Sequence, residues 1–250
     1  MGIINAFDNT SEEILKPSYL SPKVRGFPET VVVTFKQKII DIATALYGKN
    51  IISEMHAGIT IPIYSLDYND KNMVIYLTWL GGPASVGLLE EIIAKGAKKI
   101  VFFGSCGTLD KSLAAGHLIV PTSAYRDEGT SYHYAPASDY IEVKTAARLA
   151  EILTEMDIPF ICGKTWTTDA FYRETRNKME QRKKDGCITV EMECASIMAA
   201  SQYRGIELYQ YLYAEDNLDS DLWDSRTMGK VPQSANEQYL RIALEIASRV

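Results

Sequence analysis

Two carboxylates one residue apart, Glu191 and Glu193, flank Met192 just beyond the strand-like run Cys187-Ile188-Thr189-Val190. The small and apolar stretch from Ala195 to Ala200 that follows reads as a helix. At a strand-to-helix junction, side chains one apart are aimed by different backbone conformations instead of sharing a face. Ionised carboxylates only accept hydrogen bonds and hydroxyls donate them, so this pair suits a polyol with neighbouring hydroxyls. The competing expectation is a solvated helix start, where acids complement the macrodipole. A second feature is Gly104-Ser105, a small-residue turn able to offer backbone N–H groups and a hydroxyl to an oxyanion. His133, between Tyr132 and Tyr134, invites a general-base reading, but a lone histidine there is expected to be packed and hydrogen-bonded. No cluster of histidine, cysteine and carboxylate has metal-ligand spacing, so no metal is expected.

These groups need a scaffold, and hydrophobic periodicity supplies one. Val31 to Phe35, Ile59 to Leu66, Met73 to Leu80, Lys99 to Phe103 and Leu208 to Ala214 read as strands. Leu118-Ile119-Val120 is another, expected to close at Pro121, and Pro159 to Gly163 starts one more. Lys38 to Leu46, Ala84 to Lys95, Thr145 to Met156 and Asn236 to Arg249 carry helical periodicity. Lys178 to Lys184 is charged and expected to be solvated. Strands alternating with helices predict a single-domain α/β fold, a mixed central sheet flanked by helices. Residues 30–250 would form that domain, and residues 1–29, with Pro17, Pro22 and Pro28, an irregular arm wrapping a neighbouring surface. Gly81-Gly82, Gly104-Ser105, Glu191 and Asp216 all fall at expected strand ends, where open α/β sheets bind ligands.

At 250 residues and 46% hydrophobic, the chain can bury a substantial core. A net charge of −6 argues against nucleic acid as a partner. The four cysteines are dispersed, which predicts reduced thiols in a cytoplasmic protein, with Cys106 and Cys194 in tightly packed segments. No apolar stretch is long enough to span a bilayer, so no membrane partner is expected.

Five blocks occur in one order: Gly81-Gly82-Pro83-Ala84-Ser85, Phe103 to Leu109, Arg126 to Tyr134, Thr168 to Glu174, and Val190 to Glu193. Together they resemble the purine nucleoside phosphorylase and uridine phosphorylase family from about Met73 to Leu218, and the third block resembles its uridine phosphorylase-like branch. The resemblance implies a nucleoside phosphorylase that cleaves the N-glycosidic bond of uridine or a purine nucleoside with phosphate as co-substrate and no cofactor. It implies ribose binding by Glu191, Met192 and Glu193, phosphate binding by Gly82 and Ser105, and stacking of the base on Phe171. Asp216 matches the acid that protonates the leaving base. Arg173 and Arg176 lie where uridine phosphorylases read the base, though with different spacing. His56 matches loosely a residue near a neighbouring subunit's sugar. The family also implies a homo-oligomer, a dimer or a hexamer built as a trimer of dimers.

Two departures bear on the nucleophile. Phe102 and Phe103 stand where the family carries an arginine, and Thr34-Phe35-Lys36-Gln37-Lys38 replaces its early phosphate loop. Lysine offers a point charge but not a guanidinium's bidentate fork. Lys36, Lys38 and Arg25 are the available substitutes, each expected at the exposed surface. Two rivals follow: a nucleoside hydrolase using water, and a non-catalytic nucleoside-binding protein.

Overall fold

The computed structural model describes residues 2–250, Lys49 for its backbone alone; Met1, the first residue of the expected arm, lies outside them. After a 3-10 turn at Ile3–Asn5 come α1 (Pro17–Leu20), β1 (Thr30–Thr34), α2 (Gln37–Tyr47), β2 (Gly48–His56), β3 (Thr60–Tyr68) and β4 (Lys71–Leu77). Then follow α3 (Gly82–Lys95), β5 (Lys99–Thr108), β6 (Leu118–Asp127), β7 (Tyr140–Glu142), α4 (Ala146–Glu155) and β8 (Phe160–Thr168). The chain ends with α5 (Arg176–Lys184), β9 (Cys187–Glu191), α6 (Cys194–Arg204), β10 (Glu207–Asn217) and α7 (Gln233–Arg249).

Val31, Val32 and Val33 of β1 are all fully buried, the pattern of a parallel strand covered on both faces. Strand β1 pairs in parallel with β4 and β5, and β3 and β2 extend that edge as antiparallel neighbours. On the other side the strands run β5-β9-β8-β6-β10, and β10 pairs back onto β5. The sheet is mixed, as expected, and half of it closes into a ring. Helix α3 packs on α6, while α2 and α4 pack on α7.

Strand β5 changes partner along its length. Lys99 to Phe103 lie beside β1, whereas Gly107 and Thr108 lie beside β9. Between them, Gly104-Ser105-Cys106 has no ladder partner on that flank, so the sheet opens there. This partner change creates the crevice, by the same logic that puts ligands at topological switch points.

One expectation needs correction, and two elements go beyond what was expected. Strand β6 does not close at Pro121 but runs to Asp127, because a register shift between Pro121 and Ser123 absorbs the missing N–H. Strand β2 was not foreseen: it is an edge strand whose fully buried side chain is Met55, so it lacks a clean alternation. Lys178 to Lys184 is largely exposed, as expected, and belongs to α5, which anchors on buried Met179 and whose Lys183 Nζ donates to Asp219 Oδ1 at 2.5 Å.

Candidate active site

A cavity of about 650 Å³ lies at the opening in the sheet. Strand β5 at Ser105, within the strand and not in the turn expected, the β9–α6 junction and the end of β10 all contribute to its wall. Ser105, Phe171, Arg176, Glu191, Met192, Glu193 and Asp216 are thus brought together. Gly82 and Arg173 are not among the lining residues: Gly82 is buried against Ser196 and Thr130, and Arg173 is exposed.

Glu193 is only 5% exposed, and its Oε1 accepts from the Gly81 N–H at 2.6 Å. Gly81 sits at φ +91°, a conformation that side chains disfavour, and this turns its N–H toward the carboxylate. Glu191 does different work. Its Oε2 accepts from the Glu193 and Cys194 N–H groups at 2.8 and 2.6 Å, and its Oε1 from Thr167 Oγ1 at 2.6 Å. It therefore satisfies the N-terminal amides of α6 and fixes the turn that aims Glu193.

Burial raises both carboxyls, Glu191 to about 7 and Glu193 to about 8, the latter also through repulsion from Glu191. Glu191 holds the larger set of donors, which favour its anion, so the proton the pair shares rests on Glu193.

Asp216 follows a β-bulge: Ala214 pairs with Cys106 and Asp216 with Gly107, leaving Glu215 as the extra residue. The bulge lets two consecutive carboxylates, Glu215 and Asp216, reach one cavity. Burial raises the Asp216 carboxyl, while the Trp223 indole N–H, donating to Oδ2 at 2.8 Å, pulls it down. A raised carboxyl facing a cavity is suited to donating a proton.

The corner beside Ser105 is more crowded. The Phe35 ring lies over Gly104, where a Cβ would come within 2.7 Å of it, and meets Phe102 edge-on with centroids 5.3 Å apart. Lys36 is not the exposed surface residue expected, since its ammonium pairs with buried Glu215 in the cavity wall. Lys38 and Arg25 are exposed. Arg176 NH2 is committed to the carbonyls of Ser220 and Asp221 at 2.8 and 3.1 Å, so it clamps the loop after β10.

Phe171 stands 45% exposed in the cavity wall, not in the core. Among the described residues no group of three or more histidine, cysteine or carboxylate side chains could hold a metal ion. All four cysteines are free, with Cys106 and Cys194 buried.

The block from Arg126 to Tyr134 is a structural pin. Arg126 is buried, donates to Ser131 Oγ and the Pro136 carbonyl at 2.7 Å each, and lies 3.9 Å over the Tyr132 ring. Glu128 accepts from Ser196 Oγ of α6 at 2.5 Å. His133 is exposed and outside the cavity wall, contrary to the packed position expected, because Tyr132 turns inward in its place. His56 is exposed on β2 and also outside it. Sequence reasoning overlooked Glu174, Glu215 and Trp223 as cavity residues. The bulge and the clamped loop that place Glu215 and Trp223 leave no periodic signal.

Comparison with known proteins gives the family and the fold. The model of the phosphorylase superfamily matches residues 31–248. A guanosine phosphorylase of Halorubrum lacusprofundi is 26% identical over 159 residues, 62% of this chain and 66% of its own length. A DeoD-type purine nucleoside phosphorylase of Caldanaerobacter subterraneus subsp. tengcongensis is 27% identical over 187 residues, 72% of this chain and 78% of its own. The chain thus spans just under two thirds of the first of these relatives. The fold is that of a crystal structure of purine nucleoside phosphorylase from Toxoplasma gondii in complex with immucillin-H. That likeness has a TM-score of 0.77 and 20% identity, covering 92% of this chain and 96% of that one.

Proposed function

Because this chain belongs to the phosphorylase superfamily, we propose that it cleaves the N-glycosidic bond of a purine ribonucleoside with inorganic phosphate. The products are free base and ribose 1-phosphate, and no further cofactor takes part. The guanosine and purine nucleoside phosphorylases among its relatives favour a purine over uridine. Glu193 carries this reading: a buried carboxyl held by Gly81 that lines the same cavity as Ser105, Phe171 and Asp216.

The ribose 2′- and 3′-hydroxyls donate to Glu193, and because such bonds favour the carboxylate, binding draws off its resting proton. The resulting anion stabilises the positive charge that grows on the sugar as the bond stretches. Met192 packs against the ribose and Phe171 against the base. Asp216 gives its proton to the departing base nitrogen as the C1′–N bond breaks. A phosphate oxygen held by Ser105 forms the new C1′–O bond, and solvent returns the proton to Asp216. Lys36, reaching the wall through Glu215, supplies the cation that the replaced arginines would have provided.

The same reading carries a cytoplasmic homo-oligomer, with residues 1–29 as an arm against a neighbouring subunit. Exposed Ile14, Leu15, Tyr19 and Leu20 give that arm its apolar contact surface.

The test is a panel of purine and pyrimidine nucleosides incubated with the protein, with and without phosphate. Base release that requires phosphate and yields ribose 1-phosphate is expected. Release at the same rate without phosphate would identify a hydrolase, and tight binding without release a non-catalytic protein.

A further inference from the structure

Tyr213 lies two residues before Glu215 on β10, where the strand register sets it opposite Ser105 of β5. It is buried, and its ring stacks on that of Tyr239 from α7, with centroids 4.0 Å apart and 11° between the planes. Tyr239 is anchored in turn, because its backbone carbonyl accepts from the Tyr211 hydroxyl. The Tyr213 ring is therefore fixed in the core. What it carries is a cation: the Lys36 ammonium lies over it, 5.0 Å from the ring centroid. Lys36 stands between β1 and α2, and its side chain ends against two residues of β10, the Tyr213 ring and the Glu215 carboxylate.

We propose that Tyr213 is a positioning residue for the phosphate co-substrate: its ring holds the Lys36 ammonium at the corner beside Ser105 without neutralising it. This rests on the reading of Lys36 above and deepens it. Lysine ends a flexible stem and lacks the pre-organised fork of a guanidinium, so a lysine standing in for arginine has to be held by its surroundings. A carboxylate does this at the expense of charge, and Glu215 already balances the single positive charge of Lys36. A ring face does it differently. The cation is drawn to the negative face of the ring, and no further anion is brought in to repel phosphate. An ammonium has three donors. Lys36 can keep one on Glu215 and turn another to a phosphate oxygen while the ring keeps the nitrogen in place.

The ring also stays neutral while it does so. Burial, with the charge of Glu215 beside it, holds the Tyr213 phenol well above its ordinary range, so no phenolate forms to compete with phosphate. Lys38 is exposed and does not share this arrangement.

The experiment is calorimetric titration with inorganic phosphate, and separately with guanosine, so that binding is read without turnover. It compares the wild type, Tyr213→Phe, Tyr213→Leu, Tyr213→Met, Lys36→Gln and the double variant Tyr213→Leu/Lys36→Gln, with Tm as a check on folding. Methionine refills the volume should leucine leave a cavity. Loss of the ring in the Leu and Met variants should weaken phosphate about 5- to 30-fold and leave guanosine within about twofold. Tyr213→Phe keeps the ring and should hold both affinities within about twofold of the wild type. With Lys36 already replaced, Tyr213→Leu should cost no further phosphate affinity, because no cation is left to hold. Phosphate affinity unchanged in both ring-less variants, lost in step with guanosine affinity, or lost equally in the Lys36→Gln background would overturn the assignment. If Lys36→Gln weakens phosphate and the ring-less variants do not, the positioning role falls and the reading of Lys36 stands. A wild type that binds no phosphate would remove both.

Discussion

At the scale of single residues, the two acids that open the β9–α6 junction divide the labour. Glu191 collects the donors that favour its anion, and Glu193 takes the proton the pair shares. This has a consequence for stability. In the folded chain Glu193 holds its proton up to about 8, whereas an unfolded glutamate releases it near 4.5. Between those values the folded state binds more protons, so stability falls as pH rises through the interval and levels off above it. Thermal melts of the ligand-free protein should show a Tm several degrees lower at pH 8.5 than at pH 6. Glu193→Gln, which carries no ionisable proton, should flatten much of that difference. A wild-type Tm that rises over the same interval would contradict the assignment.

At the scale of elements, three local devices position the chemistry: the partner change of β5, the bulge at Glu215, and the capped start of α6. The last is testable by Glu191→Gln, which weakens charge-assisted bonds to two helix amides and places an amide among donors. A loss of about 2–4 kcal/mol is expected, or roughly 5–15 °C in Tm for a chain of this size. An unchanged Tm would mean that Glu191 does not hold the helix start. The turn after β1 gives a second prediction. Lys36→Gln keeps a hydrogen bond to Glu215 but removes the charge, and should raise KM for phosphate about 10-fold or more while leaving KM for the nucleoside within about twofold. An unchanged phosphate KM would remove Lys36 from the oxyanion corner. These devices also mark where sequence reading runs out. Val31-Val32-Val33 and the periodic helices α3, α4 and α7 announce themselves, because burial is written into their residue types. The bulge, the loop clamped by Arg176 and the run of β6 past Pro121 do not, since each depends on a neighbour distant in the chain.

At the scale of the whole molecule, a net charge of −6 accompanies a cavity whose wall holds Glu174, Glu191, Glu193, Glu215 and Asp216, with Arg176 as the basic residue among those described. An acidic wall favours a sugar that becomes cationic and places the demand for phosphate binding on few groups. The acidic pair, Ser105, Phe171 and Asp216 were legible because each sits in a short motif, and the structure brings all of them to one cavity. Glu174 escaped notice because nothing in its local spacing distinguishes it from a solvated turn acid; only the fold shows it lining the cavity. The ribose grip is the claim on which the rest depends, and the kcat/KM of Glu193→Ala tests it most directly, with phosphate saturating and the nucleoside the wild type cleaves fastest. A fall of about 100-fold or more, with Tm at neutral pH close to that of the wild type, is the result expected. A variant that cleaves as fast as the wild type would contradict it.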